Sequence, residues 1–302
     1  MSLPAASLAH RRREGAALAA LVLGAVAMGA SPLFVRMADV GPFASAFWRT
    51  ALALPFLALW ALAERGTWRP GALRNRSVWL SGLLFAGDLF FWHLAILATT
   101  VANATFLATT APLFVVAGAW FLLGERIQRR GIAGLAFCLL GGVALVGHSY
   151  GFAPERLTGD LYGIVTALFF AGYMLALRAA RRDVPAGILA LISAAITTVI
   201  LFVVAVALEP RLLPHSAQGW TVLIALALIS QVAGQGLLTI ALGTLPAPFS
   251  SLVIFLEAVA AALLAWVVLH EALEPMQWLG GAMILAGIWF ARPRNPAAGC
   301  LP

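Results

Sequence analysis

Two stretches of the chain, GERIQRRGIAGLAFCLLGG at residues 124–142 and HEALEPMQWLGGAMILAGI at residues 270–288, align at an offset of 146 residues. The alignment pairs a glutamate and two glycines of one stretch with those of the other: Glu125 with Glu271, Gly134 with Gly280, and Gly141 with Gly287. In both stretches the glutamate ends a long apolar run and the glycines lie in the next one. This self-similarity predicts an internal duplication, with one half at residues 1–149 and the other at 150–302.

The composition places the protein in a lipid bilayer. The 302 residues are 62% hydrophobic and 10% charged, and the mean hydropathy of +0.96 excludes an ordinary soluble domain. Ten apolar runs are long enough for membrane helices; they lie near residues 16–35, 43–62, 78–98, 102–122, 131–148, 160–178, 186–208, 219–241, 248–269 and 276–291. The runs are too continuous for barrel strands, so the predicted fold class is an all-α integral membrane protein with ten transmembrane helices.

The distribution of arginine predicts the orientation. All 19 basic residues are arginine. With a cytoplasmic N-terminus, 15 of them fall in cytoplasmic segments, only Arg36, Arg156 and Arg211 fall outside, and Arg49 lies within a span. This bias indicates that both termini are cytoplasmic. Short basic clusters between apolar runs are typical topology signals of a bacterial inner-membrane protein. Nucleic acid is therefore excluded as a partner, despite the net charge of +7.

Five spans in each half have a geometric consequence. An odd number of spans inserts the second half upside down relative to the first, which predicts two inverted five-helix repeats around a central cavity. Inverted repeats are the architecture of many secondary transporters. Pro32, Pro55 and Pro112 each interrupt an apolar run and are the predicted hinges.

Several motifs resemble those of a known family. Ala111-Pro112-Leu113 followed by Gly124-Glu125-Arg126, and Leu256-Glu257-Ala258-Val259 followed by His270-Glu271, resemble the EamA half-repeat of the drug/metabolite transporter superfamily. Phe47-Trp48-Arg49 resembles the early arginine of that family. The resemblance covers nearly the whole chain and implies a transporter, nearest to the YddG-type exporters of aromatic and other neutral amino acids. The family commonly has proline where this chain has Ala258, which leaves a hinge in the ninth span without support.

Charged residues inside the apolar runs are functional candidates, because an ionisable group in hydrocarbon is unfavourable. Asp88 and Glu257 both lie about 13 to 15 Å into their spans, near the midplane. They are interpreted either as acceptors for a substrate ammonium group or a coupled proton, or as protonated groups that only hold helices together. His93 is interpreted as a proton relay or as a structural hydrogen-bonding residue.

Arg49 lies only about six residues from the outer end of its span. At that depth the guanidinium could snorkel outward or pair with Asp39. The alternative is that Arg49 binds a substrate carboxylate.

Uncharged polar and aromatic residues complete the predicted cavity lining. They are Asn103, Gln231, Gln235, Trp92 and Tyr173. The two glutamines are four residues apart and so share a helix face. The fifth and tenth spans are rich in glycine, which predicts peripheral packing or a homodimer interface rather than cavity lining.

The remaining patterns bear on the energy source and on catalysis. The chain has no phosphate-binding loop of the G-x-x-x-x-G-K-[ST] type, which excludes an ATP-driven transporter. His270, Glu271 and Glu274 lack metal-site spacing from a further partner, which argues against a membrane enzyme. No cofactor or metal is predicted. The sequence predicts an exporter of small metabolites, namely neutral amino acids including aromatic ones. A transporter of lipophilic cations and an integral-membrane enzyme are the alternatives.

Overall fold

The computed structural model describes residues 5–64, 71, 74–99, 101–146, 154–270 and 272–292, and their regular structure is entirely helical. Eight helical stretches among these residues are long and apolar enough to cross a membrane. They are Arg12–Met37, Pro42–Ala63, Arg76–Ala98, Phe106–Leu123, Leu157–Ala180, Ala186–Leu208, Ala217–Ala241 and Ala247–Val268. The protein is therefore a multi-pass membrane protein.

The first half contains eight α-helices and one π-helical turn. These are α1 (Ala5–Gly29), α2 (Ser31–Met37), α3 (Pro42–Ala51), α4 (Leu54–Ala63), α5 (Arg76–Ala98), α6 (Val101–Ala108), α7 (Ala111–Gly118), the π-helical turn Ala119–Leu123 and α8 (Arg129–Val146). The predicted boundary between the halves, at residues 149 and 150, lies outside the described residues.

The second half contains seven α-helices, a short 3-10 turn at Pro154–Arg156 and a π-helical segment. The longer elements are α9 (Leu157–Ala180), α10 (Ala186–Leu208), α11 (Ala217–Ala225), the π-helical segment Leu226–Gln235, α12 (Gly236–Ala241), α13 (Ala247–Val253), α14 (Leu256–Leu269) and α15 (Pro275–Ala291). Helices lie in all ten predicted runs. However, α15 has only 17 residues and α8 is not among the eight stretches above, so the count of ten crossings stays a prediction.

Three spans break immediately before a proline. Pro32, Pro55 and Pro112 occupy the first or second position of α2, α4 and α7, which follow the breaks at Ala30, at residues 52–53 and at residues 109–110. A proline in the first turn loses no helical hydrogen bond, because that N–H would have no partner there. The predicted hinge positions therefore coincide with real breaks, and movement at them stays a prediction.

The ninth span is also broken, although Ala258 gave no support for a bend there. The break lies at Ile254 and Phe255, between α13 and α14. Around it the backbone forms i to i−3 hydrogen bonds, from Phe255 N–H to Leu252 (3.2 Å) and from Glu257 N–H to Ile254 (2.8 Å). Phe255 is 2% exposed and packs against Cys138 and its neighbours. The break therefore occurs where this aromatic ring is buried, and no proline lies next to it.

Two residues with positive φ mark equivalent points of the duplication. Gly124, with φ 69°, follows the π-helical turn, and His270, with φ 56°, ends α14; no other described residue has a positive φ. The two positions are 146 residues apart, the offset found in the sequence. A left-handed residue is a common helix terminator, so the fourth and ninth spans end in the same way.

Helices α8 and α15 pack against each other through glycine. A Cβ atom placed on Gly134 would lie 2.5 Å from the Gly287 carbonyl oxygen, and one on Gly141 would lie 2.7 Å from that of Gly280. Only glycine permits backbones to approach this closely. These predicted packing residues thus serve a contact within one chain, away from the cavity described below, and a homodimer through the same spans stays a prediction.

Gly141→Ala is expected to lower the free energy of unfolding by about 1 to 3 kcal/mol, the usual effect of overpacking. The new methyl group would collide with backbone and could not be accommodated by a side-chain rotation. The adjacent Gly142→Ala is a matched control, because its Cβ would meet Phe255 at an ordinary 3.6 Å. Thermal unfolding in detergent measures both variants, and equal melting temperatures would contradict the close approach.

Carboxylates at the ends of two spans cap each other's helices. Glu209, which follows α10, accepts hydrogen bonds from the backbone N–H groups of Phe43 (2.7 Å) and Ala44 (3.0 Å) in the first turn of α3. Glu64, which follows α4, accepts one from Gly187 N–H (2.8 Å) in the first turn of α10. A carboxylate at a helix N-terminus is favourable. The second and seventh spans are therefore tied together at both ends.

Candidate functional site

A cavity of about 100 Å³ lies where three of the four broken spans meet. The cavity is lined at the first break by Ser31 and Pro32, at the break in the fourth span by Thr109 and Pro112, and at the break in the ninth by Ile254, Phe255 and Glu257. Non-helical backbone at membrane depth occurs where it is buried in protein or lines a cavity. The breaks thus identify this cavity as the candidate site.

Arg49 supplies the positive charge of the cavity. Its side chain is 6% exposed, and its Nε and Nη1 atoms donate to Gln231 Oε1 and Ser31 Oγ, both at 3.1 Å. The guanidinium carbon also lies 5.7 Å from the centre of the Phe85 ring, within cation–π range. The guanidinium is therefore held in the interior.

The interpretation that Arg49 snorkels or pairs with Asp39 is wrong. The Asp39 carboxylate instead accepts hydrogen bonds from the Ser216 hydroxyl (2.8 Å) and from the N–H groups of Ser216 and His215. The Ser216 hydroxyl is the main cause that lowers the pKa of Asp39. Asp39 thus stabilises the loop before α11, while Arg49 points to partners deeper in the bundle.

Asp88 and Glu257 bring two carboxyl groups to the same cavity. Asp88 is 8% exposed and lies in the middle of α5, whereas Glu257 is partly exposed and lies in the first turn of α14. Both interact electrostatically with Arg49. The N-terminal end of a helix favours a negative charge, so the broken ninth span provides a suitable position for the Glu257 carboxylate.

The two predicted glutamines have different surroundings. Gln235 lines the cavity, and its buried Oε1 atom has no hydrogen-bond partner among the described residues. Gln231 is behind the lining and holds Arg49. Both lie in the π-helical segment Leu226–Gln235, a kind of irregularity that is frequent at functional sites.

Of the predicted aromatic and histidine residues, one lines the cavity and two lie behind its wall. Trp92 lines the cavity, but His93 and Tyr173 do not. His93 is 1% exposed, donates from Nδ1 to the Leu89 carbonyl (2.6 Å) and has no partner for Nε2 among the described residues. Tyr173 stacks on Phe85 with ring centres 4.7 Å apart, one layer behind the cavity wall. Asn103 lies in α6, and its side chain is outside the described part of the chain.

Several lining residues were not predicted from the sequence. They include Ser31, Phe85, Thr166, Phe170 and Met174. An apolar or small residue in an apolar span carries no signal of its own. Ser31, however, lies beside a predicted break, which is the one clue that could have identified it.

The described residues contain no cluster of three or more His, Cys, Asp or Glu side chains that could hold a metal ion. The site instead combines one guanidinium, two carboxyls, a free amide oxygen and aromatic walls. These groups can bind both ends of a small polar molecule by charge and hydrogen bonds. A polar cavity among broken membrane helices defines the class of a membrane transporter.

The chain belongs to the EamA-like transporter family, which matches residues 15–147 and 157–292. The two matched ranges are the two halves of the duplication. Family membership and fold together establish a multi-pass membrane transporter.

Individual relatives agree with this assignment. An uncharacterized transporter of Archaeoglobus fulgidus is 28% identical over 275 residues, covering 90% of this chain and 95% of that protein. A second uncharacterized transporter of that organism is 32% identical over 162 residues. The aromatic amino acid exporter YddG of Ancylobacter novellus is 34% identical over 159 residues.

The alignments with the last two relatives cover 51% and 49% of this chain, and 54% and 52% of those proteins. This chain is therefore matched to about half the length of each. A protein of known crystal structure superposes with a TM-score of 0.77 over 92% of this chain and 96% of that one, at 23% identity. That likeness concerns the fold alone.

Proposed function

We propose that this protein exports small neutral amino acids, aromatic ones included, across the bacterial inner membrane by alternating access. The observation that carries the proposal is the convergence of Arg49, Asp88 and Glu257 on one cavity with aromatic walls. The similarity to an aromatic amino acid exporter over half the chain supports the same substrate class. Transport rather than catalysis is the activity that the family and its relatives indicate.

The cavity offers a partner to each part of a zwitterion. Arg49 is bonded through Nε and Nη1, and the rest of its guanidinium fork can donate to a substrate carboxylate. Glu257 and the unpartnered Oε1 of Gln235 can accept from the ammonium group. Trp92 and Phe85 provide apolar area for the side chain.

Contacts between the halves support the inverted repeat. Under the offset of 146 residues, the contact of Gly134 with Gly287 becomes the contact of Gly280 with Gly141, and both contacts exist in the antiparallel pair α8 and α15. Antiparallel equivalent helices imply a two-fold axis perpendicular to them. Such an axis, together with ten crossings, would place halves 1–149 and 150–302 around the cavity with both termini in the cytoplasm.

Reciprocal capping of the second and seventh spans obeys the same symmetry. Glu64 caps the start of the seventh span, and Glu209, 145 residues later, caps the start of the second. Equivalent glutamates at opposite ends of the pair are the arrangement that an inverted duplication produces.

Transport of lipophilic cations is the second candidate, because two carboxyls outnumber one guanidinium in the cavity. The similarity to an aromatic amino acid exporter over half the chain favours the first candidate.

Counterflow into proteoliposomes tests the proposal. Vesicles containing only this protein and loaded with phenylalanine are expected to take up labelled phenylalanine saturably, with competition by tryptophan and threonine. Protein-free vesicles are the control. Saturable exchange of a quaternary-ammonium dye without exchange of any amino acid would contradict the proposal and favour the cation transporter.

A further inference from the structure

The charges in the cavity do not balance when all of them are ionised. Arg49 from α3, Asp88 from α5 and Glu257 from α14 line it. A guanidinium remains positive at every physiological pH, whereas each carboxyl can hold or release a proton. With both carboxyls ionised, the site would hold one uncompensated negative charge, which is strongly unfavourable in a buried place. The cavity without substrate is neutral when the two carboxyls share one proton.

The other elements around the cavity provide no further charge. The polar residues that these elements contribute are uncharged: Ser31 at the start of α2, Thr109 before α7, Thr166 on α9 and Gln235 on the π-helical segment. The titratable groups His93 and Tyr173 lie behind the lining, the first bonded to a backbone carbonyl and the second stacked on a ring. In the described part of the wall, three side chains therefore determine the net charge.

The positions of the two carboxyls indicate which one keeps the proton. Glu257 is partly exposed and lies in the first turn of α14, where the helix dipole favours a carboxylate. Asp88 is only 8% exposed and lies at mid-helix, without help from a helix terminus. These positions favour Glu257 as the ionised group and Asp88 as the protonated one.

We propose, on the basis of the proposed function, that Asp88 holds one proton in the cavity without substrate and that only a substrate of net positive charge displaces it. A zwitterionic amino acid adds no net charge, so it binds with the proton in place. A monocation adds one positive charge, and one proton then passes from the Asp88 carboxyl to the solution that the cavity faces. Neutral amino acids are therefore carried without proton exchange, whereas organic amines exchange one-for-one with protons.

Phenylalanine and 2-phenylethylamine form the matched pair of probes, because they differ by the carboxylate alone. Purified protein in weakly buffered detergent near neutral pH is mixed with each, with binding followed by thermal shift and proton release by a pH-sensitive dye. Wild-type protein is expected to release about one proton per phenylethylamine bound and none per phenylalanine. Asp88→Asn, which mimics the protonated side chain, is expected to release no proton per molecule of either probe that it binds.

Asp160→Asn is the matched control. Asp160 is also buried, at 7% exposed, but lies outside the cavity lining and accepts from the Thr99 hydroxyl; its substitution is expected to leave the wild-type proton counts. Equal proton release with both probes, or unchanged release in Asp88→Asn, would overturn the proton assignment while leaving the proposed function intact. A folded protein that binds neither probe would contradict both.

Discussion

Arg49→Met is expected to abolish amino-acid counterflow and to lower the free energy of unfolding by about 3 to 5 kcal/mol, the usual effect of removing one partner of a buried charge network. Methionine keeps the apolar stem of the side chain and removes its charged end. It leaves the Glu257 carboxylate without a counter-charge and removes the donors to Gln231 and Ser31. Thermal unfolding in detergent and counterflow per folded molecule measure the two effects.

Two further variants separate binding from folding. Arg49→Lys keeps the positive charge but lacks the planar fork that can hold Gln231, Ser31 and a carboxylate together. It is expected to fold and to transport at a small fraction of the wild-type rate. Arg156→Met makes the same chemical change at an exposed residue and is expected to match the wild type. Full counterflow in Arg49→Met would remove Arg49 from substrate binding.

Glu257→Gln is expected to lower counterflow about 10- to 100-fold, because a hydrogen bond to a charged partner contributes about 1.5 to 3 kcal/mol. Glutamine has nearly the same shape, and Glu257 is only partly buried in the cavity wall. The melting temperature is therefore expected to change little. The experiment compares initial rates at equal amounts of folded protein.

The exposed Glu155 offers a matched control. Glu155→Gln removes a negative charge outside the cavity and is expected to transport like the wild type. The contradicting outcome is a Glu257→Gln protein whose flux falls only in proportion to the amount of folded protein. Glu257 would then hold the helices together and would not contact substrate.

The sequence was informative about the site wherever it contains a residue that is unfavourable in a membrane-spanning helix. Asp88 and Glu257 were identified because a carboxyl in an apolar run is unfavourable unless it has a partner, and both line the cavity. The helix breaks at Pro32, Pro55 and Pro112 were predictable for a similar reason, since proline cannot donate the hydrogen bond that a continuous helix needs. In each case the prediction depended on one residue and needed no knowledge of its contacts.

The features that escaped prediction depend on contacts between distant segments. The sequence gives only the distance of Arg49 from the end of its own span. Its guanidinium is held by a hydrogen bond to Gln231, which is 182 residues away in the chain. The break at residues 254–255 accompanies the packing of Phe255 against α8, and Phe85 is a site residue because Arg49 lies over its ring. Periodicity along one segment contains no information about such partners.

The interrupted fourth span restricts the path by which a substrate can reach the cavity. Ala108, which lines the cavity, is the last residue of α6, so its carbonyl has no donor within that helix, and Pro112, four residues later, has no N–H to supply one. Lipid tails offer no hydrogen bonds, and exposing an unsatisfied backbone group to them is unfavourable by several kcal/mol. An opening between helices toward the bilayer is therefore disfavoured at this depth. Substrates are expected to arrive from and leave into water, along the bundle axis, and not sideways from the lipid.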